Sequence, residues 1–265
     1  MGSKPSDTES YPYIAPCRIL TKNAPINWLK AGLNDFKRAW FASLLYGAIT
    51  GLAFSGLNLL SSSDLWVWVF ILGAMVFLSP LLCAGLYAIS AQLERNQSVS
   101  IVRSLRACFR RYLGNQLIFG LIVLIVFLVW ARASSMASIF IPTSEQELNN
   151  SATYIMVISL ISLAFLSFVF SLSLFALPMI MHRNVDAITA ILTSLNAVMR
   201  NKLVICIWAM FISLLLLLNV LTFGVLSLLF TPLIGYSVWH GYIDTIDVSA
   251  FPRHPLGITA EPVPR

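Results

Sequence analysis

Long stretches without a charged side chain constrain this sequence of 265 residues more than any motif does. A helix that crosses the hydrocarbon of a bilayer needs roughly 20 consecutive, mostly apolar residues. The chain offers several such stretches, and its mean hydropathy of +0.83, with only 11% charged residues, is outside the usual range of soluble domains. The pattern therefore predicts an all-helical (all-α) fold, a polytopic membrane helix bundle.

Charged residues set the limits of most predicted spans. The interval from Lys202 to Asp244 is too long for one crossing, and Gly224 offers a turn within it. We predict six transmembrane helices, at about residues 40–60, 65–90, 116–131, 153–181, 203–221 and 225–242. The predicted domains are a polar, disordered N-terminal tail (1–22), a six-span membrane domain (23–246) and a proline-rich cytoplasmic tail (247–265).

The basic residues predict the orientation, because Lys and Arg accumulate on the cytoplasmic side of membrane proteins. With six spans, only Arg132 lies on the outer side. We therefore expect both termini in the cytoplasm, with insertion by the first span and no cleavable signal peptide. The sixteen residues on the inner side are Lys4, Arg18, Lys22, Lys30, Lys37, Arg38, Arg95, Arg103, Arg106, Arg110, Arg111, Arg183, Arg200, Lys202, Arg253 and Arg265.

An internal repeat is a second organising feature. Residues 36–47 align with residues 109–120, and a weaker third copy covers residues 195–206. Each copy lies at the end of an amphipathic segment, and each second span carries a proline that predicts a helix kink: Pro80, Pro178 and Pro232. We predict three repeated units of an interfacial amphipathic helix plus a two-span hairpin. The alternative is convergence of apolar composition.

Apolar stripes at helical spacing define the three amphipathic segments. Asp186 is the expected N-cap of the third. The stripes are Leu29, Leu33, Phe36 and Trp40 in the first, Ile101, Leu105, Phe109 and Tyr112 in the second, and Ile188, Ile191, Leu195 and Val198 in the third.

Small residues in the first predicted span repeat every four positions, at Ser43, Gly47, Gly51 and Ser55. Such a face allows another helix to approach closely. An intramolecular contact within the bundle is the favoured interpretation, and a homodimer seam is the alternative.

Candidate chemistry is sparse in this sequence. His240 could contact a haem or quinone, or relay protons with Asp244, and His182 is a weaker candidate of the same kind; the alternative for both is an ordinary interfacial histidine. The four cysteines match no zinc or redox motif. We therefore predict no catalytic residue, no metal site and no cofactor.

Basic residues near the predicted membrane surface are the best contact candidates. A basic amphipathic helix beside a span binds anionic lipid headgroups. Six residues are candidates for headgroup or partner contacts: Arg103, Arg106, Arg110, Arg111, Lys37 and Arg38.

Four ordered blocks of sequence resemble one known family. They are residues 23–47, 79–90, 177–190 and 232–242. Together they resemble the bacterial integral membrane protein family catalogued as domain of unknown function 2189. The resemblance implies a bacterial inner-membrane location and carries no activity with it.

These features favour a non-enzymatic scaffold or accessory subunit of a membrane complex. The alternatives are a transporter or channel for a small or apolar solute and, as a weaker hypothesis, a redox-linked membrane subunit. Expected partners are membrane lipids and other inner-membrane proteins, with a homo-oligomer left open and no nucleic acid.

Overall fold

The computed structural model describes residues 12–60, 83–110, 113–137 and 147–251. Within these ranges the secondary structure is α-helical, with one isolated bridge between Cys17 and Ile246, so the all-helical prediction is confirmed for this part of the chain. The helices are α1 (Ala24–Arg38), α2 (Trp40–Leu60), α3 (Ala84–Glu94), α4 (Ile101–Arg110), α5 (Leu113–Ala137), α6 (Glu147–Ser173), α7 (Ala176–His182), α8 (Ala187–Arg200), α9 (Lys202–Leu221) and α10 (Ser227–Thr245).

Three helical segments are long and apolar enough to cross a membrane: Gly114–Met136, Ile155–His182 and Lys202–Leu221. They coincide with the third, fourth and fifth predicted spans. The chain bends by 104° between α1 and α2. If this bent pair is one span, it is a fourth candidate. Helix α10 is not among the candidates, since its Ser, Thr, Tyr and His side chains lower its hydropathy. Most of the predicted second span, 65–90, lies outside the described residues, as does Pro80.

The ends of α8, α9 and α10 follow from local sequence. The Asp186 side chain caps α8 by accepting a hydrogen bond from the Thr189 N–H at 2.9 Å. Partial burial raises the pKa of Asp186, but hydrogen bonds from Thr189 and other backbone groups outweigh it and hold the pKa below its ordinary value. Helix α9 gives way to a turn in which Phe223 and Gly224 both have positive φ, as the sequence predicts for Gly224.

A side chain interrupts the candidate span Ile155–His182 between α6 and α7. The Phe175 N–H donates to Ser194 Oγ at 3.1 Å, and the Ser194 hydroxyl donates to the Ser171 carbonyl at 2.8 Å. In a continuous helix the Phe175 N–H would bond the Ser171 carbonyl directly. The break lies three residues before Pro178, whose ring would clash with the carbonyl of Leu174 in a straight helix.

Helix α2 packs against α10 along its small residues. A Cβ on Gly47 would lie 2.5 Å from the Leu228 carbonyl oxygen, so the two backbones are in direct contact. That carbonyl is the one freed by Pro232, which lies inside α10 and has no N–H to donate. Gly51 meets the Gly224 carbonyl in the same way, and the Ser55 hydroxyl donates to the Phe223 carbonyl at 2.7 Å. In this chain the face of small residues contacts another helix of the same molecule.

The segment before α1 is part of the packed domain. The Ala15 N–H donates to Thr193 Oγ1 at 3.1 Å, the Arg18 N–H to the Thr245 carbonyl at 2.8 Å, and the Leu20 N–H to Asn201 Oδ1 at 2.8 Å. The prediction of a disordered tail is therefore wrong for residues 12–22, because their backbone groups bond to α8 and the ends of α9 and α10. Beyond α10, the chain to Phe251, a buried residue, also packs against the bundle.

Candidate functional site

Helix α1 has a buried face that the predicted apolar stripe does not describe. Trp28, Gly32 and Asp35 recur at helical spacing and are buried, whereas Leu33 of the predicted stripe is exposed. This face lies on α10: a Cβ on Gly32 would be 2.4 Å from Ser237 Oγ. The close approach of the two helices carries Asp35 into the interior of the protein.

One carboxylate oxygen of Asp35 accepts hydrogen bonds from two other helices. His240 Nε2 in α10 lies 2.8 Å from Asp35 Oδ2, and the Ser90 hydroxyl in α3 donates to the same oxygen. An ionised carboxylate only accepts, so Nε2 of His240 carries the hydrogen in this pair. We call Asp35, Ser90 and His240 the polar junction. It joins three helices that are far apart in sequence.

The polar junction does not have the geometry of a nucleophilic serine site. The Asp35 side chain is 6% exposed and that of His240 is 28% exposed, so the imidazole links the buried carboxylate to the surroundings. A nucleophilic serine needs its hydroxyl hydrogen-bonded to a general base such as histidine. The Ser90 hydroxyl instead bonds the carboxylate and is fully buried. The junction is a hydrogen-bonded contact that joins α1, α3 and α10.

Two hydroxyl pairs extend the polar contacts from α10 and α3 to α2 and α4. Tyr236 and Ser43 lie 2.9 Å apart, and so do Tyr46 and Ser104. The Ser104 hydroxyl also bonds the Gly85 carbonyl at 2.6 Å. Ser43 of the predicted packing face thus makes a hydrogen bond as well as a close contact.

The two candidate histidines have separate partners. His182 Nδ1 lies 2.8 Å from the Tyr242 hydroxyl, and its ring packs against Trp239 with centroids 5.6 Å apart. The relay partner proposed for His240 from the sequence, Asp244, instead accepts a hydrogen bond from Trp28 Nε1 at 3.0 Å. The partner of His240 is Asp35 instead, because α1 packs against α10 beside His240.

A metal site is not formed by the described residues: no three of their His, Cys, Asp and Glu side chains come together in a group that could hold an ion. Sequence reasoning missed Asp35 and Ser90. The signal for Asp35 was available, because it is an acidic residue on a basic helix and lies in register with Trp28 and Gly32.

The basic contact candidates lie on exposed surface where they are described. Lys37 and Arg38 occupy the last turn of α1, and Arg103 and Arg106 lie on α4, where Arg103 also bonds the Gln97 side chain at 3.1 Å. The Arg110 side chain and the whole of Arg111 lie outside the described part of the chain.

Comparison with known proteins gives one match. Residues 67–182 match the family model described as predicted integral membrane protein (DUF2189). The resemblance to this family is therefore confirmed over these residues. The DUF2189 match includes Ser90, while Asp35 and His240 lie on either side of it, so the polar junction joins the matched region to both flanking parts of the chain. No curated protein and no solved structure matches the chain.

Proposed function

We propose that this chain is a non-enzymatic scaffold or accessory subunit of a bacterial inner membrane, with six spans and both termini in the cytoplasm. In this proposal its cytoplasmic surface consists of the polar faces of three amphipathic helices. These faces contact anionic headgroups and other membrane proteins.

The observation that carries the proposal is a helix order that occurs three times. Each of the short helices α1, α4 and α8 directly precedes a long apolar helix, respectively α2, α5 and α9. The order supports three units of interfacial helix plus hairpin. Basic side chains on all three short helices are exposed: Lys30, Lys37, Arg38, Arg103, Arg106 and Arg200. Each such residue near an anionic membrane surface contributes about 1 kcal/mol to the free energy of binding to that surface.

The hydrogen bonds of three carboxylates also favour a structural role. Asp35, Glu94 and Asp244 each accept a hydrogen bond from a side chain of another helix, and these bonds hold α1, α3 and α10 together. They fix the position of α1, one of the helices that carry the basic surface.

Orientation is tested by labelling with a maleimide that does not cross membranes. A chain with its four cysteines replaced receives one new cysteine, by Tyr13→Cys before α1 or Arg132→Cys near the end of α5; both positions are exposed. The proposal expects Tyr13→Cys to react in inverted vesicles only and Arg132→Cys in spheroplasts only. The opposite result would overturn the proposed orientation.

The accessory role is tested by charge reversal on the basic surface. A variant with Lys37, Arg38, Arg103 and Arg106 changed to Glu should lose a partner that the wild-type chain retains in mild detergent. The matched control Arg132→Glu, on the opposite side, should retain that partner. An unchanged partner set in the fourfold variant contradicts the role, as does solute movement by the purified protein in liposomes.

A further inference from the structure

A lateral groove with a volume of about 400 Å³ lies between α6 and α9, with α3 and α10 at its base. Residues at its edges are open to the surroundings: Leu163 is 60% exposed and Leu216 is 37% exposed. Residues at its base, such as Tyr87 and Val238, are buried. Because the two walls are candidate spans, the groove opens toward the hydrocarbon of the bilayer rather than toward water.

The groove has the length of an acyl chain in one leaflet. Its residues on α9 run from Lys202 to Leu216, which at 1.5 Å per residue is about 21 Å along the helix axis. The hydrocarbon of one leaflet is about 15 Å thick, half of the roughly 30 Å of the whole bilayer. An alkyl chain can therefore lie in the groove over the full depth of a leaflet.

The walls of the groove offer an alkyl chain few unpaired hydrogen-bonding groups. The Ser171 hydroxyl donates to the Ser167 carbonyl and the Ser173 hydroxyl to the Val169 carbonyl, both at 2.7 Å and both within α6. Their hydrogen-bonding capacity is thus used by their own helix. The remaining lining is mostly Leu, Ile, Val and Phe.

A single cation marks one end of the groove. Lys202 is exposed, is the first residue of α9 and lines the groove. It has no ion-pair partner among the described residues. Three carboxylates of α1, α3 and α10 have other partners, since Asp35 pairs with His240, Glu94 accepts from Trp239 and Asp244 accepts from Trp28. An apolar groove with one unpaired ammonium group at its end is complementary to an acyl chain that bears an anionic headgroup.

We propose that this groove binds one acyl chain of an anionic membrane phospholipid, with its headgroup phosphate at Lys202. This site is separate from the basic surface of α1 and α4 and does not depend on the scaffold role. A lysine at the end of a span extends its ammonium group to headgroup depth while its stem covers apolar surface. The lipid would hold α6 and α9 together where they lack direct contact across the groove.

The test measures lipid retention by the purified full-length protein. Dioleoyl-phosphatidylglycerol or dioleoyl-phosphatidylcholine is added in detergent, and bound lipid is counted by native mass spectrometry. We expect one phosphatidylglycerol to be retained in preference to phosphatidylcholine, and Lys202→Ala to weaken its binding about fivefold. Arg132→Ala is the matched control, because Arg132 is an exposed cation at the far end of α5 and does not line the groove.

A second pair of variants tests the groove itself. Ala209 lines the groove, whereas its neighbour Met210 is 69% exposed and does not. Ala209→Phe should fill the groove and abolish retention of phosphatidylglycerol, and Met210→Phe should leave it unchanged. A phosphatidylglycerol with a photoreactive chain should give adducts on groove residues of α6 and α9 in the wild-type chain.

Three results would overturn the proposal: equal retention of the two lipids, unchanged binding in Lys202→Ala, or adducts spread evenly over the exposed faces of α9. If Ala209→Phe fails to fold, the lysine variant and the adduct map still decide, because Lys202 is exposed and its replacement leaves the helix packing intact.

Discussion

Alanine substitution of three glycines in α2 should have opposite effects on stability, depending on distance from α10. A Cβ on Gly47 would lie 2.5, 2.7 and 2.8 Å from three backbone atoms of Leu228, which cannot rotate away. A Cβ on Gly51 would lie 3.1 Å from the Gly224 carbonyl oxygen, and one on Gly56 would have no heavy atom of a described residue within 4 Å. The three sites share one helix and one substitution but differ in steric cost.

The magnitudes follow from two opposing contributions. Replacing Gly by Ala inside a helix raises the free energy of unfolding by about 0.5–1 kcal/mol. Gly56→Ala should show the whole of this gain. At Gly47 overpacking against backbone atoms costs about 3 kcal/mol, so that a gain of about 1 kcal/mol leaves a net loss of about 2 kcal/mol. At about 2–4 °C per kcal/mol, the Tm of Gly47→Ala should fall by about 4–8 °C. The Tm of Gly51→Ala should lie between those of Gly47→Ala and Gly56→Ala.

Thermal unfolding in detergent, followed by the fluorescence of the buried tryptophans, measures this series. Gel filtration of each variant before heating controls for aggregation. The reasoning is refuted if Gly47→Ala is as stable as Gly56→Ala, since α2 and α10 would then not be in backbone contact at Gly47.

Other predictions concern buried or capping polar groups, with the same thermal assay. Asp35→Ala should destabilise by about 3 kcal/mol, because it leaves His240 and a buried hydroxyl without their acceptor, while Asp35→Asn should cost less; equal loss in both would show that the hydrogen bonds contribute little. Asp186→Ala should lower the free energy of unfolding by about 1 kcal/mol, whereas Asp186→Asn should leave it almost unchanged because Asn also caps a helix. Because the pKa of Asp186 is lowered on folding, its contribution should be complete above the unfolded value of about 3.9 and be lost as the pH falls through the lower folded value; a cap effect that disappeared near neutral pH would contradict this. Ser194→Ala should cost about 1–3 kcal/mol by leaving two backbone groups unpaired at the break between α6 and α7, whereas the exposed control Ser213→Ala should change stability by less than about 0.5 kcal/mol; equal effects would count against the bridging hydroxyl.

Local sequence was sufficient for several elements of the fold. Runs of apolar residues of the right length predicted the three candidate spans in α5, α6 with α7, and α9. The turn at Gly224 was predictable because only a glycine tolerates its φ of 87° without strain. The cap at Asp186 followed from a short polar side chain before an apolar stripe. Each of these features depends on neighbours within a few turns of the chain.

The interpretation of α1 needed the structure. The sequence pointed to Leu29, Leu33, Phe36 and Trp40 as the apolar face, yet Leu33 and Trp40 are exposed and the packed face includes an aspartate. Hydrophobic periodicity cannot separate a face that meets lipid from one that meets another helix, because both are apolar. Gly32 indicated the contact only once α10 was known to lie against it.

The sequence by itself determined that this chain is an all-helical membrane protein that matches the DUF2189 family over residues 67–182, because span length, apolarity and family motifs are local properties. The tertiary structure alone decided which polar groups meet. Asp35 and His240 are 205 positions apart, and they pair at 2.8 Å only because α1 crosses α10 at Gly32. The groove beside Lys202 likewise exists only because residues of α6, α9, α3 and α10 meet around it. Contacts of this kind depend on how helices cross in space, which no residue pattern within one helix specifies.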